Sequence, residues 1–197
     1  MVNKLEFYYD CSSPWTYLAF EQVCRLDRAL EISWKPILVG GIFNSINPSV
    51  YAARENPIQA KLNYAQKDLR DWAKELNVQI CSPSVFPVNS AKAMRGAFVA
   101  AEENKIVEYS RLIFESYWGD DKDISQLPIL KSVVEALQLN WEEFATKIES
   151  PSYKALLRQN TDELIDRGGF GSPTYFLNGS DMFFGNDRID LMLKKIL

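Results

Sequence analysis

An apolar segment, a short turn and a helix start open this chain, and they constrain its fold more than any other feature. Residues 5–10 are mostly large and apolar, and Ser13-Pro14 then precede a periodicity that predicts a helix over residues 15–30. A serine hydroxyl caps a helix well, and proline suits the first helical position because the amide there has no partner. Residues 32–38 predict a second strand, joined to the first by a right-handed crossover.

Helical periodicity fills the middle of the chain, from about residue 56 to residue 167. Apolar side chains recur there at spacings of three and four. The first such stripe consists of Leu62, Ala65, Leu69, Trp72 and Leu76. Gly40-Gly41 is interpreted as a break before this region, and Gly168-Gly169 as its end.

Strands return near the end of the chain. Residues 174–177 and 182–184 are apolar and flank Asn178-Gly179, a pair that predicts a β-hairpin. A last helix is predicted over residues 188–197, with Asp187 as its cap.

This order of elements predicts an α/β protein with a thioredoxin-like fold and a large α-helical insertion. We expect residues 1–45 and 168–197 to form the thioredoxin-like domain, and residues 46–167 the helical insertion domain. Redox proteins of this fold carry Cys-x-x-Cys where the first helix begins, and Ser13 and Thr16 take those places here. A disulfide cannot form, yet the positive helix end that stabilises a thiolate is kept. We therefore expect a borrowed thiol, with glutathione as the obvious donor.

Composition disfavours several classes of function. Histidine is absent, which rules out Ser-His-Asp and Cys-His catalysis. Cys11, Cys24 and Cys81 are scattered, so neither a disulfide framework nor a metal site is predicted. A net charge of −4 without a basic stripe disfavours binding to nucleic acid or anionic membranes. No run of 18 apolar residues and no presequence is recognised, so we expect a cytoplasmic protein.

Two further motifs would face the first helix in this fold. Gly171-Ser172-Pro173-Thr174 precedes the hairpin, where thioredoxin-like proteins place a cis proline and bind extended peptides through backbone groups. Asp187 and Arg188 follow the hairpin and would hold the ammonium and carboxylate of a zwitterionic ligand. A simpler interpretation stays open for each motif: a capping serine at Ser13, an ordinary strand proline at Pro173 and a capping aspartate at Asp187.

These motifs together resemble one enzyme family over the whole chain. They are Tyr9-Asp10, Ser13-Pro14, Tyr17-Leu18, Phe86-Pro87-Val88-Asn89, Gly169-Phe170-Gly171, Pro173-Thr174 and residues 182–188. In kind and order they are similar to those of kappa-class glutathione transferases, and still more to those of 2-hydroxychromene-2-carboxylate isomerases, which share a DsbA-like architecture. The resemblance implies a glutathione-dependent isomerase of aromatic catabolism that works as a homodimer.

The resemblance also implies roles for individual residues. Ser13 would donate a hydrogen bond to the glutathione sulfur. The set implied to bind glutathione is Asn47, Lys61, Ser172, Pro173, Asn186, Asp187 and Arg188. Asn89 and Trp118 would lie near the second substrate. Without the resemblance, Asn47, Lys61 and Asn89 would be interpreted as solvated or turn residues.

Three positions depart from the family pattern. Ser172 replaces a bulkier apolar residue, which changes little if only its backbone binds glutathione. Asn186 replaces a frequent serine and could change the affinity for glutathione. Cys11 stands where an apolar side chain is usual, and we interpret it as a small buried residue, with a redox role as the alternative.

The reaction implied by the family is reversible addition of the glutathione thiolate to a conjugated double bond of an unsaturated aromatic pyruvate. The addition permits rotation about that bond before the thiol leaves, and Ser13 would stabilise the thiolate in both steps. Two alternatives remain: a kappa-type transferase that conjugates glutathione to electrophiles, and a redox-dead thioredoxin-like module that binds extended peptides. A disulfide oxidoreductase is disfavoured, because Thr16 cannot resolve a mixed disulfide.

Overall fold

Four strands form one mixed sheet in the computed structural model, which describes residues 2–26 and 30–196. The strands are β1 (Asn3–Tyr9), β2 (Leu30–Pro36), β3 (Thr174–Leu177) and β4 (Asp181–Phe184), in the order β2-β1-β3-β4. Strand β2 is parallel to β1, whereas β3 is antiparallel to both β1 and β4. The crossover from β1 to β2 contains helix α1 (Pro14–Cys24), as the sequence predicts.

The remaining helices lie between β2 and β3, except for one at the end of the chain. They are α2 (Val39–Ser45), α3 (Ser49–Glu55), α4 (Gln59–Leu76), α5 (Ala91–Glu102), α6 (Ile106–Phe114), α7 (Leu127–Ala136), α8 (Trp141–Glu149), α9 (Pro151–Asp166) and α10 (Ile189–Leu193). This arrangement confirms the thioredoxin-like fold with a large helical insertion. None of the helices in the described parts of the chain combines the length and apolar character needed to cross a membrane.

The two faces of the sheet pack against different helices because side chains of a strand alternate between its faces. Phe7 and Tyr9 of β1 lie in the main core together with Phe20 of α1 and Phe114 of α6. The Phe7 ring also contacts its cross-strand neighbour Tyr175, with ring centroids 5.2 Å apart, and such aromatic pairs stabilise a sheet beyond the area that they bury. Because this core includes both sheet and insertion residues, the two-domain division at residues 46 and 167 stays a prediction.

The opposite face of the sheet packs on α2 and α9. Tyr8 of β1 and Phe176 of β3 are buried there with Ile42 of α2 and Leu164 of α9. Tyr8 donates a hydrogen bond to Glu163 at 2.7 Å. Helix α2 is therefore held between the sheet edge and α9, close to the end of β1.

Several boundaries differ from the sequence predictions. Helix α1 ends at Cys24 rather than at residue 30, since Leu30 is buried and pairs with Asn3 as the start of β2; the predicted helical residues 27–29 lie outside the described residues. Gly40-Gly41 lies inside α2 instead of forming a break. A Cβ at Gly41 would meet the Thr161 side chain at 3.4 Å, an ordinary van der Waals distance, so α2 packs directly against α9 at this point.

The end of the chain is partly as predicted. The hairpin is confirmed, with Asn178 and Gly179 at φ values of 50° and 83°, the left-handed conformation that a tight hairpin turn requires. The closing helix is shorter than predicted, because a 3₁₀ turn over Asn186–Arg188 precedes α10 and residue 197 lies outside the described range. Asp187 lies inside that turn and does not cap α10 with its side chain, so its interpretation as a plain cap was wrong.

Candidate active site

Ser13 lies at the N-terminus of α1, directly after the turn that follows β1. Its backbone is extended, and its Oγ accepts a hydrogen bond from the amide of Thr16 at 3.2 Å, which is the geometry of an N-cap. Pro14 occupies the first helical position. Ser13 is half-buried, so part of the residue remains accessible to solvent. The unpaired amides of a first helical turn, together with the helix dipole, favour an anion at this point.

The loop that precedes β3 approaches Ser13 from the opposite side. The Ser172-Pro173 peptide bond is cis, as predicted, and the Ser13 hydroxyl donates to the Ser172 carbonyl oxygen at 3.4 Å. The Ser172 side chain points inward. Its Oγ accepts from the Asp10 amide at 3.1 Å and lies 2.8 Å from Thr16 Oγ1. Ser172 therefore faces Ser13 with its backbone polar groups rather than with its hydroxyl.

Asp10 connects the elements around Ser13, a role that its position in the sequence did not predict. Its side chain is fully buried, and the carboxylate accepts from the Ser12 amide at 2.9 Å and from the Val39 amide at 2.8 Å. Burial raises the pKa of Asp10 in spite of these hydrogen bonds. The Asp10 side chain thus joins the end of β1 to the Ser12 turn and to the start of α2. An acidic residue directly after a buried strand was the available signal.

The turn over Asn186–Arg188 lies beside the same loop, because Gly185 donates its amide to the Pro173 carbonyl at 3.2 Å. The side chain of Gln22 in α1 donates to the Asn186 carbonyl at 3.0 Å and holds the turn against the helix. The Nδ2 of Asn186 is buried without a hydrogen-bond partner among the described residues, and a buried unpaired donor of this kind fits a ligand that supplies an acceptor. Asp187 and Arg188 are exposed and pair with each other at 2.6 Å.

The other two residues predicted to bind glutathione occupy different settings. Asn47 follows α2 and donates from Nδ2 to the Phe170 carbonyl at 3.2 Å, so it contacts the segment that leads into the Ser172 loop. Lys61 is exposed in the first turn of α4, and no hydrogen bond or ion pair in the described residues joins it to the rest of the set. Ser172 thus contacts Ser13 directly, and the turn over Asn186–Arg188 reaches Pro173 through the Gly185 amide. Asn47 contacts the neighbouring segment at Phe170, and Lys61 makes no such contact in the described residues.

Asn89 and Trp118, which are predicted to lie near the second substrate, both make hydrogen bonds within the protein. Asn89 accepts from the Ala91 amide at 3.1 Å and so helps to start α5. Trp118 donates its indole N–H to the Cys11 carbonyl at 2.9 Å and is only 3% exposed, which leaves little of it for a substrate. The half-exposed Phe86 ring, 6.3 Å from Trp118, presents the accessible aromatic surface there, and its exposure could not be read from the sequence.

Burial limits the reactivity of two cysteines of the chain, Cys11 and Cys24. Cys11 is buried beneath the Ser13 turn, and this burial raises the pKa of its thiol well above the ordinary value. Burial also raises the pKa of Cys24 to about 12. None of the three cysteines forms a disulfide, and in residues 2–26 and 30–196 no cluster of Cys, Asp and Glu could hold a metal ion. Neither Cys11 nor Cys24 is therefore suited to supply a thiolate at Ser13.

Comparison with known proteins identifies the relatives of this chain. A model of the DSBA-like thioredoxin domain matches residues 4–197. The chain is 30% identical over 199 residues to 2-hydroxychromene-2-carboxylate isomerase of Pseudomonas putida, covering 95% of this chain and 91% of the relative. It is 28% identical over 203 residues to glutathione S-transferase kappa 1 of Rattus norvegicus, covering 95% and 88%.

A solved structure agrees with these matches. A structure of 2-hydroxychromene-2-carboxylate isomerase superposes with a TM-score of 0.83 at 25% identity, covering 98% of this chain and 94% of the other. The resemblance predicted from the motifs is thereby confirmed. The chain belongs to the DSBA-like thioredoxin-domain family and, within it, to the group of enzymes that contains the 2-hydroxychromene-2-carboxylate isomerases and the kappa glutathione transferases.

Proposed function

We propose that this protein is a glutathione-dependent isomerase that acts on 2-hydroxychromene-2-carboxylate or a related unsaturated aromatic pyruvate. The observation that carries the proposal is the position of the Ser13 hydroxyl, half-buried at the start of α1 and 3.4 Å from the carbonyl before a cis proline. Ser13 and Thr16 stand where redox relatives have cysteines, so the site can stabilise a thiolate but cannot form a disulfide. The relatives named as isomerases support the same reaction.

Glutathione would supply the nucleophilic thiolate and be regenerated in each turnover. The Ser13 proton, directed at the Ser172 carbonyl in this structure, would turn to the sulfur and stabilise its negative charge. The amides of the first turn of α1 and the helix dipole add to that stabilisation. The Ser172 backbone would pair with the cysteinyl part of glutathione, and Pro173 would hold that backbone in position.

The polar ends of glutathione would bind to charged and amide side chains around this centre. Asn186 and Arg188 would hold the γ-glutamyl carboxylate and Asp187 its ammonium group, which requires the Asp187–Arg188 pair to open. Asn47 and Lys61 would contact the glycyl end. Phe86 offers an apolar surface for an aromatic substrate, beside the Trp118 and Asn89 positions.

The direct test measures thiol consumption during turnover. With 2-hydroxychromene-2-carboxylate as substrate, absorbance should change only when glutathione is present, and the rate should saturate with glutathione concentration. Free thiol assayed after many turnovers should equal its starting concentration, because an isomerase returns the thiol. Equal rates with and without glutathione would contradict the proposal.

A kappa-type transferase is the second candidate, and the 28% identity to glutathione S-transferase kappa 1 favours it. A transferase consumes glutathione, so free thiol would fall by one equivalent for each product formed. No turnover on any unsaturated pyruvate or electrophile, together with no retention on immobilised glutathione, would instead indicate a redox-dead module that binds extended peptides.

We further propose that the protein is a cytoplasmic homodimer, as the family resemblance implies. Light scattering of the purified protein tests the dimer, which should have twice the mass of the 22.6 kDa chain. A mass equal to one chain at micromolar concentration would contradict that part of the proposal without affecting the isomerase assignment.

A further inference from the structure

A cavity lies between α2, α5 and α9, and Ser13 is not among the residues that line it. It has a volume of about 480 Å³, within the range of about 300–1,000 Å³ that small-molecule sites occupy. Its walls come from α2, α5 and α9, and the residues proposed to bind glutathione or the aromatic substrate are not among those that line it. The cavity is therefore separate from the proposed catalytic cleft.

The floor of the cavity is apolar. Leu38, Ala91, Leu157 and Ile165 line it, and the open side of Gly41 faces α9 because a glycine has no Cβ to fill the space. A surface of this kind accommodates an aliphatic or aromatic body, because removal of apolar surface from water is favourable. Floor and volume together fit a ligand with a compact apolar part.

The rim of the cavity carries an excess of positive charge. Arg95, Lys154 and Arg158 line it, against a single lining carboxylate, Asp162. Glu149 lies near the rim at 3.6 Å from Arg95 and 3.4 Å from Lys154, but it is shared with Lys92 at 2.9 Å. Arg158 pairs with Asp162 at 3.3 Å, and four cations against two carboxylates still leave a local potential that attracts an anion.

The burial of Arg95 distinguishes this rim from an ordinary solvated surface. It is only 7% exposed, and its Nε donates to the Ala91 carbonyl at 3.1 Å, which fixes the guanidinium. Its Nη1 is buried with no hydrogen-bond partner in the described chain, because Glu149 at 3.6 Å is too distant for one. A buried guanidinium nitrogen without a partner is costly, and a bidentate carboxylate is the acceptor that matches its geometry.

We propose that this cavity binds a small carboxylate with an apolar body, whose carboxylate group lies against Arg95, Lys154 and Arg158. The apolar part rests on Leu157 and Ile165, and the anionic group replaces the long contact between Arg95 and Glu149. A simple phosphate or sulfate would contact only the cations of the rim. An uncharged aromatic compound would contact only the apolar side chains of the floor. The inference does not depend on the proposed isomerase activity.

Two successive backbone amides at the start of α2 connect the cavity to the residues behind the Ser13 turn. The Leu38 amide donates to Thr161 Oγ1 at 3.0 Å, and both residues line the cavity. The next amide, that of Val39, donates to the buried Asp10 carboxylate at 2.8 Å, behind the Ser13 turn. A ligand that displaces the first turn of α2 is therefore expected to be detected at the Val39 amide as well as at the residues that it touches.

Calorimetry and amide NMR with 3-phenylpropanoate as the probe test the site, with its neutral amide as the matched ligand. We expect saturable binding of the acid, with shifts at Leu38, Ala91 and Val39, and at least several-fold weaker binding of the amide. The double variant Lys154→Gln, Arg158→Gln should weaken binding by roughly twofold to tenfold, mostly at low salt. Ala91→Leu should also weaken it, because the larger side chain enters the cavity and leaves the charges unchanged.

Two control variants distinguish binding in this cavity from binding elsewhere on the protein. Lys131→Gln removes an exposed cation on α7, away from the cavity, and should leave binding unchanged. Ser13→Ala should also leave it unchanged, because the probe does not use the proposed catalytic cleft. The inference is overturned if the acid does not bind saturably, if acid and amide bind equally, or if Ser13→Ala alone abolishes binding, which would place the probe at the catalytic cleft.

Discussion

The hydroxyl of Thr16 lies 2.8 Å from the hydroxyl of Ser172, and both side chains are buried. This contact joins the first turn of α1 to the loop with the cis proline, across 156 residues of chain. In redox relatives the position of Thr16 holds the second cysteine of the active-site pair. Here it holds a structural hydroxyl that positions the two sides of the site relative to each other.

Loss of this contact should destabilise the fold more than it changes glutathione binding. Ser172→Ala leaves the Asp10 amide and the Thr16 hydroxyl without their partner and should lower the free energy of unfolding by about 1–3 kcal/mol. Thr16→Val should cost about 0.5–1.5 kcal/mol, and the double variant less than the sum, because the two side chains share one hydrogen bond. Urea unfolding measures these values. Ser132→Ala, which removes an exposed hydroxyl on α7, is the control and should stay within about 0.5 kcal/mol of wild type.

Ser13→Ala should keep the fold and raise the pKa of the bound glutathione thiol. A hydrogen bond to a charged group contributes about 1.5–3 kcal/mol, which corresponds to roughly one to two pKa units. Thiolate absorbance of the complex, titrated against pH, measures the shift. Ser12→Ala is a matched control in the same turn, because Ser12 bonds to Asp10 through its backbone amide, which the substitution leaves in place. An unchanged thiol pKa in Ser13→Ala would remove Ser13 from its proposed role.

The charged residues at the ends of the proposed glutathione site should contribute in a salt-dependent manner. Lys61→Ala and Arg188→Ala should each weaken glutathione binding by roughly twofold to tenfold at low salt and by less at high salt, because exposed charges are screened. Calorimetry at two ionic strengths measures this, with Lys131→Ala as the control. Wild-type affinity in both variants would mean that glutathione binds elsewhere.

Asp10 should titrate above the ordinary range of an aspartate. Burial raises its pKa, so the folded protein keeps this proton to a higher pH than the unfolded chain does. The contribution of Asp10 to the free energy of unfolding therefore decreases as pH rises from the unfolded pKa, about 3.9, to the higher folded pKa. Carbon-13 NMR of the carboxyl groups measures the titration. A folded pKa below about 3.9 would show that the Ser12 and Val39 amides outweigh burial.

Two glycines should respond in opposite directions to the same substitution. A Cβ at Gly96 in α5 would clash with Tyr109 Oη and the Phe144 ring, so Gly96→Ala should destabilise by about 1–3 kcal/mol. At Gly40 in α2 nothing lies within 4 Å of that position, and Gly40→Ala should stabilise by about 0.5–1 kcal/mol because it favours the helix. Urea unfolding of both variants checks the pair. Equal effects would contradict the close packing of α5 on α6 and α8.

The sequence by itself determined the features that depend on near neighbours. Ser13 caps α1 and Pro14 begins it because those preferences act within one helical turn. Asn178-Gly179 forms the hairpin turn because these residues adopt positive φ readily. The order of such signals along the chain predicts the fold, and the resemblance of the motifs to a known family predicts the enzyme group.

Only the tertiary structure decided which residues meet across long stretches of chain. The bonds from Asp10 to Val39 and from Thr16 to Ser172 arise where packed elements bring their polar groups together, and the sequence contains no local periodicity that marks them. Gly40-Gly41 was misinterpreted for the same reason, since packing against α9 outweighs the weak helix propensity of glycine. The cavity between α2, α5 and α9 likewise exists only because these helices converge, and the lack of a hydrogen-bond partner for Arg95 Nη1 in the described chain is a consequence of that packing.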